Sequence, residues 1–244
     1  MNINVATTVR ELAVTLPGAT RVFEKLGIDY CCGGNRTLAD ACVNAKIPIE
    51  EVADSLAEAE HLLLSPEELQ NWQAASMTGL IQHIVEKHHT FTKEELPRLE
   101  KLMNKVCAVH GAQHPELLQL KTAFLGLKEE LEPHLMKEEQ VLFPYITRME
   151  AALTTDAAIP MSCFGTVQNP VRMMNIEHDA AGDLLREMRA VTANYAVPDG
   201  ACMSYESLFQ ALIEFEADLH QHIHLENNIL FPKAVNAERE MIEN

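Results

Sequence analysis

The chain has 244 residues, with 36 acidic against 19 basic side chains and a formal net charge of −17. It is long enough for one or two domains with a real core, and its charge excludes a nucleic-acid partner and an anionic membrane surface, both of which need a basic footprint. Aromatic content is only 5 %, no apolar run approaches the roughly 18 residues of a membrane span and no charged-then-apolar leader opens the chain, so a helical, cytoplasmic protein with six unpaired cysteines is expected.

Residues 1–60 read as a small helical unit. Thr8-Val-Arg-Glu11 has the form of a capping box, followed by Leu12, Leu16, Val22, Phe23 and Leu26 at helical spacing. Pro17 can restart that helix and Gly27 can stop it. Tyr30-Cys31-Cys32-Gly33-Gly34 is a turn that should leave both thiols accessible. Thr37-Leu-Ala-Asp40 opens another helix and Pro48 a third, running to about residue 60. Residues 61–75, with Pro66 and the lone Trp72, read as a linker. From 76 to 240 the pattern predicts four long helices over about 77–107, 115–149, 170–194 and 201–237, an up-down four-helix bundle. Pro97, Pro133, Pro144 and Pro232 should kink or end their helices.

Within the bundle a short word occurs twice, 88 residues apart. His134 and Glu138 precede Leu142-Phe143-Pro144, and His222 and Glu226 precede Leu230-Phe231-Pro232. Residues four apart share a helix face, so each pair can aim an imidazole and a carboxylate at one metal. A further His precedes each word: His178 before the second, and His89 or His88 before the first. Periodicity and repeat spacing tolerate either of these two, and His83 is a weaker candidate. Four His and two Glu make a ligand set for two metal ions. Imidazole and carboxylate suit ferrous and ferric iron, and also zinc or manganese. If each Glu bridges, every ion has two imidazoles and two carboxylate oxygens, leaving room for an oxo or hydroxo bridge and one open position.

Acids recur beside these residues. Glu130 and Asp218 lie one turn before the words and Glu177 adjoins His178. They are read as groups that orient the imidazoles or line an iron exit path, and equally as solvated acids. His220 and His224 point away from His222 and read as peripheral. His61, His110 and His114 read as solvated.

Four of these segments, Tyr30–Gly34, Lys137–Pro144, Glu177-His178-Asp179 and Leu225–Pro232, together resemble the Repair of Iron Centres family (the YtfE/ScdA type), and the resemblance spans essentially the whole chain. It implies a hemerythrin-like bundle with two non-haem iron ions, behind a small N-terminal domain carrying the Cys31-Cys32 pair. It implies restoration of iron–sulfur clusters damaged by nitric oxide or oxidants, through supply of iron. The ligands it implies are His89, His134, Glu138, His178, His222 and Glu226. The family's first ligand stands seven residues before a Leu-Pro pair, here Leu96-Pro97, which selects His89. Cys31 and Cys32 become redox or iron-transfer residues, and Glu130 and Glu177 match acids the family implicates near the site. Expected partners are proteins with damaged clusters, with nitric oxide or oxygen as small ligands; a homodimer stays open. Two other readings use the same centre, a nitric oxide reductase or peroxidase-type enzyme and a diatomic-gas sensor. Oxygen carriers resemble this bundle but place a second His one turn from the equivalent of His178; here those positions hold Gly182 and Met174, which suits labile iron.

Overall fold

Capping chemistry sets the first helix starts where the sequence predicts them. The computed structural model describes residues 4–59, 70–155, 157, 158 and 160–243. In α1 (Val9–Thr15) the Thr8 hydroxyl accepts from the Glu11 N–H at 3.1 Å, and in α3 (Leu38–Ala45) the Thr37 hydroxyl accepts from the Asp40 N–H at 3.1 Å. Each cap contributes about 1 kcal/mol. A break at Leu16–Gly18 separates α1 from α2 (Ala19–Leu26), which ends on Gly27 in the left-handed conformation. With α4 (Ile49–Ala59), these helices enclose a core of Val9, Phe23, Leu38 and Val52. Among the described residues the only β pairing is one bridge between Thr8 and Thr37. The expected His61 and most of the expected linker lie outside the described residues.

The four long helices are α5 (77–110), α6 (116–155), α7 (Gln168–Val191) and α8 (203–243). They form the expected up-down bundle, with α6 lying along α7 and α5 along α8. Three of them run well past their predicted ends, and the prolines do not stop them. Pro97 and Pro133 sit inside α5 and α6. Pro144 and Pro232 each follow a wide π turn, Glu138–Leu142 and Glu226–Leu230, in which the N–H of Phe143 or Phe231 reaches back five residues to the carbonyl of Glu138 or Glu226. The extra residue of a π turn loosens the backbone where a proline lacks its donor, so the helix continues through it. A third π turn, Ile84–His89, interrupts α5. Such turns concentrate at functional sites.

The N-terminal unit packs directly against α7 and α8. Arg10 donates to the Asn228 carbonyl at 3.0 Å, Asn228 Nδ2 donates to the Tyr30 carbonyl at 2.9 Å, and Gln221 donates to the Tyr30 hydroxyl at 3.0 Å. The two histidines read as peripheral belong to this interface. His220 pairs with Glu24 at 2.9 Å, and His224 is buried edge-on against Tyr30, where burial lowers its pKa to about 4. Gly34 permits the approach: a Cβ there would lie 3.3 Å from Asn228 Oδ1, and only 3.0 Å from the Tyr30 carbonyl within the unit. His110 and His114, read as solvated, are half-buried and pack edge-on against Tyr205 at the far end of the bundle.

Candidate metal centre

The two repeated words and the two preceding histidines meet at the centre of the bundle. His89 comes from α5, His134 and Glu138 from α6, His178 from α7, and His222 and Glu226 from α8. All six are at most 2 % exposed. They form two groups that share both carboxylates: His89, His222, Glu138 and Glu226 in one, His134, His178, Glu138 and Glu226 in the other. The Nε2 atoms of His89 and His222 are 3.1 Å apart, as are those of His134 and His178. Two nitrogens bound to one ion at about 2.1 Å and at a right angle would stand about 3.0 Å apart. Glu138 turns Oε2 to His89 at 3.4 Å and Oε1 to His134 at 3.3 Å, while Glu226 turns Oε1 to His222 at 3.1 Å and Oε2 to His178 at 3.2 Å. Each carboxylate therefore spans both groups.

The chemistry of this donor set fits metal ions. Both Glu138 oxygens and Oε2 of Glu226 are buried without a hydrogen-bond partner, an arrangement that costs several kcal/mol per charge unless a cation answers it. The imidazoles carry the same demand. Burial lowers the His134 pKa, but Glu138 and Glu226 outweigh it and raise it to about 9. Burial raises Glu226, but His222 and His178 hold it well below the usual carboxylate range.

The outward nitrogens of three imidazoles are fixed by polar partners. His134 Nδ1 meets Glu177 at 2.8 Å. His89 Nδ1 meets Glu139 at 2.8 Å and His178 Nδ1 meets Asn227 at 2.8 Å. The sequence reading missed Glu139 and Asn227, although each is the residue after a word's Glu and so occupies the same place in both repeats. The phenyl rings of the words have matching roles: Phe143 stacks on His89 with centroids 5.6 Å apart, and Phe231 on His178 at 6.1 Å.

The repeat breaks at one point. Where the second half has Glu177, the first has His88, which stacks on His222 at 5.9 Å and leaves His222 Nδ1 without a partner. Asp218 meets His88 Nδ1 at 2.9 Å rather than any of the six clustered residues. Glu130 is exposed on α6 and takes no part in the cluster. His83 lies under Trp72, with centroids 4.3 Å apart.

Cys31 and Cys32 lie against this site, and only one of them is accessible. Cys31 is buried and Cys32 half-buried, and both are free thiols. Burial and the adjacent Cys32 push the Cys31 thiol well above its usual range, the hydrogen bond to Cys32 having the largest effect. The Cys32 sulfur is 3.6 Å from the His178 carbonyl. Gly182, one turn along α7, provides the room: a Cβ there would stand 3.8 Å from that sulfur and 3.3 Å from Arg186 Nη1. A branched side chain at 182 would therefore meet the N-terminal unit. Gly182→Leu should displace that unit, so limited proteolysis should separate the two units several-fold faster than in wild type while bound metal is unchanged. Unaltered proteolysis would contradict this packing.

Two family models match different parts of the chain. Residues 80–234 match the hemerythrin HHE cation binding domain, and residues 5–60 match ScdA_N, a domain of unknown function (DUF542). A probable iron–sulfur cluster repair protein of Haemophilus influenzae is 35 % identical over 226 residues, covering 93 % of this chain and 95 % of the relative. The iron–sulfur cluster repair proteins YtfE of Yersinia pseudotuberculosis and Yersinia pestis are each 35 % identical over 227 residues, covering 93 % of this chain and 96 % of theirs.

Proposed function

This chain belongs to the family of iron–sulfur cluster repair proteins that join an ScdA_N domain to a hemerythrin HHE domain, and from that membership and the shared buried carboxylates we propose that it repairs damaged clusters by supplying iron from a di-iron centre. His89 and His222 would hold one ion, His134 and His178 the other, with Glu138 and Glu226 bridging. When bound, the ions supply transferable iron and an open position for a small ligand such as nitric oxide or oxygen.

The rest of the site holds those ligands in place and opens toward solvent. Glu139, Glu177 and Asn227 fix the outward imidazole nitrogens, which sets the tautomers that leave Nε2 free as a ligand. Glu139 and Glu177 are about one-quarter exposed, and each also pairs with a lysine, Lys93 and Lys137 respectively. These two carboxylates are where iron would leave. No helix among the described residues is long and apolar enough to cross a membrane.

The observation that carries this reading is the pair of buried, shared carboxylates with orphaned oxygens. The test is to load the protein with ferrous iron without oxygen and mix it with a [4Fe–4S] hydro-lyase inactivated by nitric oxide. Recovery of hydro-lyase activity with matching loss of iron from this chain is expected. Failure to reactivate, with repeated conversion of nitric oxide to nitrous oxide in the presence of a reductant, would replace the reading with an enzyme.

A further inference from the structure

The Cys31-Cys32 turn contains a third residue that the sequence does not single out. Asp29 Oδ1 accepts from the backbone N–H groups of Cys32 at 3.0 Å and Gly33 at 2.9 Å, and from the Cys31 thiol at 3.5 Å. The two sulfurs are 3.9 Å apart, and one carboxylate oxygen and both sulfurs all lie within 4.8 Å of one another. Two thiolates bound at about 2.3 Å to a tetrahedral ion stand about 3.8 Å apart, whereas a disulfide requires about 2.05 Å. The sulfurs are thus spaced for a shared ion and not for a bond to each other. Gly33 protects the arrangement, because a Cβ there would lie 3.0 Å from both Cγ and Oδ2 of Asp29 and would push the carboxylate away.

We propose that Asp29, Cys31 and Cys32 form a second metal site, for one thiophilic divalent ion, on the face of the N-terminal unit that docks against α7. Binding converts two S–H groups into two metal–sulfur bonds and releases two protons to solvent for each ion, with no change in oxidation state. The mixed thiolate–carboxylate set is softer than the bundle's imidazole–carboxylate set and favours zinc, cobalt or ferrous iron over magnesium or calcium. Identifying the cellular ion as ferrous iron rests on the function proposed above; the site itself does not.

The site is one residue removed from the bundle centre. Asn227 donates through Nδ2 to the Cys31 carbonyl at 3.3 Å and through Oδ1 meets His178 Nδ1 at 2.8 Å. An ion held by the Cys pair would therefore sit beside a group that orients a bundle imidazole, a suitable place for iron on its way into or out of the bundle.

Cobalt(II) titration of the reduced, metal-free, full-length chain tests the proposal, because sulfur-to-cobalt charge transfer absorbs strongly in the near ultraviolet and imidazole or carboxylate ligation does not. Wild type should show this band rising to the intensity of about one thiolate-bound ion per chain, within roughly the three equivalents that fill all the sites. Glu138→Ala/Glu226→Ala should retain it, since the bundle carboxylates are not part of the site. Cys31→Ser and Cys32→Ser should abolish it. Asp29→Asn should weaken cobalt binding about tenfold or more, and it is the decisive variant, since the amide oxygen can still accept from Cys32 and Gly33 and keep the turn folded. Absence of the band in wild type, or wild-type affinity in Asp29→Asn, would overturn the site. Loss of the band in Glu138→Ala/Glu226→Ala would overturn its independence from the bundle. If that variant instead keeps the band and also keeps full bundle metal, the bundle assignment fails and this site stands.

Discussion

Glu138→Ala/Glu226→Ala should reduce the iron held in the bundle from two ions per chain to well below one, measured by metal analysis after anaerobic loading of chains that also carry Cys31→Ser/Cys32→Ser. Both carboxylates contribute an oxygen to each half of the cluster, so their removal takes two of the four protein donors from either ion at once. The same change removes two buried charges, with both Glu138 oxygens and Oε2 of Glu226 lacking hydrogen bonds, so folding without metal should suffer less than the loss of a well-paired buried ion would cause. The clearest readout is linkage. In that Cys31→Ser/Cys32→Ser background the intact bundle should gain stability on adding iron, by RT ln(1 + [L]/Kd) for each site, whereas the melting temperature of the carboxylate variant should be insensitive to iron. Retention of both ions by the variant would refute the bridging assignment.

His89→Ala should lose iron and His88→Ala should keep both ions, even though both histidines are buried. His89 turns Nε2 toward His222 and Glu138 and is clamped behind by Glu139. His88 instead stacks on His222 and spends Nδ1 on Asp218. Without His89 one ion is left with a single imidazole, so the iron held in the bundle should fall to about one ion or less. His88→Ala removes the partner of a mostly buried carboxylate, at a cost of about 1–3 kcal/mol. At about 2–4 °C per kcal/mol for a chain of this size, that lowers the melting temperature without changing metal content. The opposite pattern of iron loss would reassign the first ligand.

The sequence by itself determined the pairings and caps that close within one regular helical turn. Residues four apart face the same way in any α-helix, so His134 with Glu138 and His222 with Glu226 were legible as candidate ligand pairs, and their repetition carried the bundle with them. Thr8, Thr37 and Gly27 were legible as caps for the same reason: a cap's hydrogen bond closes within three or four residues. The choice between His88 and His89 was different. It came from resemblance to a family, because the π turn at Ile84–His89 inserts a residue and rotates the following helix face by about 100°, and an apolar stripe cannot be read through such a shift.

Contacts between helices were decided only by the tertiary structure. Glu139 and Asn227 reach imidazoles on other helices, Asp218 reaches His88 and not His222, and Glu130 faces solvent. Each outcome depends on how neighbouring helices are rotated about their axes, which spacing along one chain does not encode. Docking of the N-terminal unit follows the same logic. Nothing along the chain says that Gly34, Gly182, Tyr30 and Asn228 meet, and only the packed surfaces reveal that the missing side chains at 34 and 182 let the Cys31-Cys32 turn settle on the bundle, with the Cys32 sulfur against the His178 carbonyl. That contact buries Cys31, which the turn sequence alone left exposed.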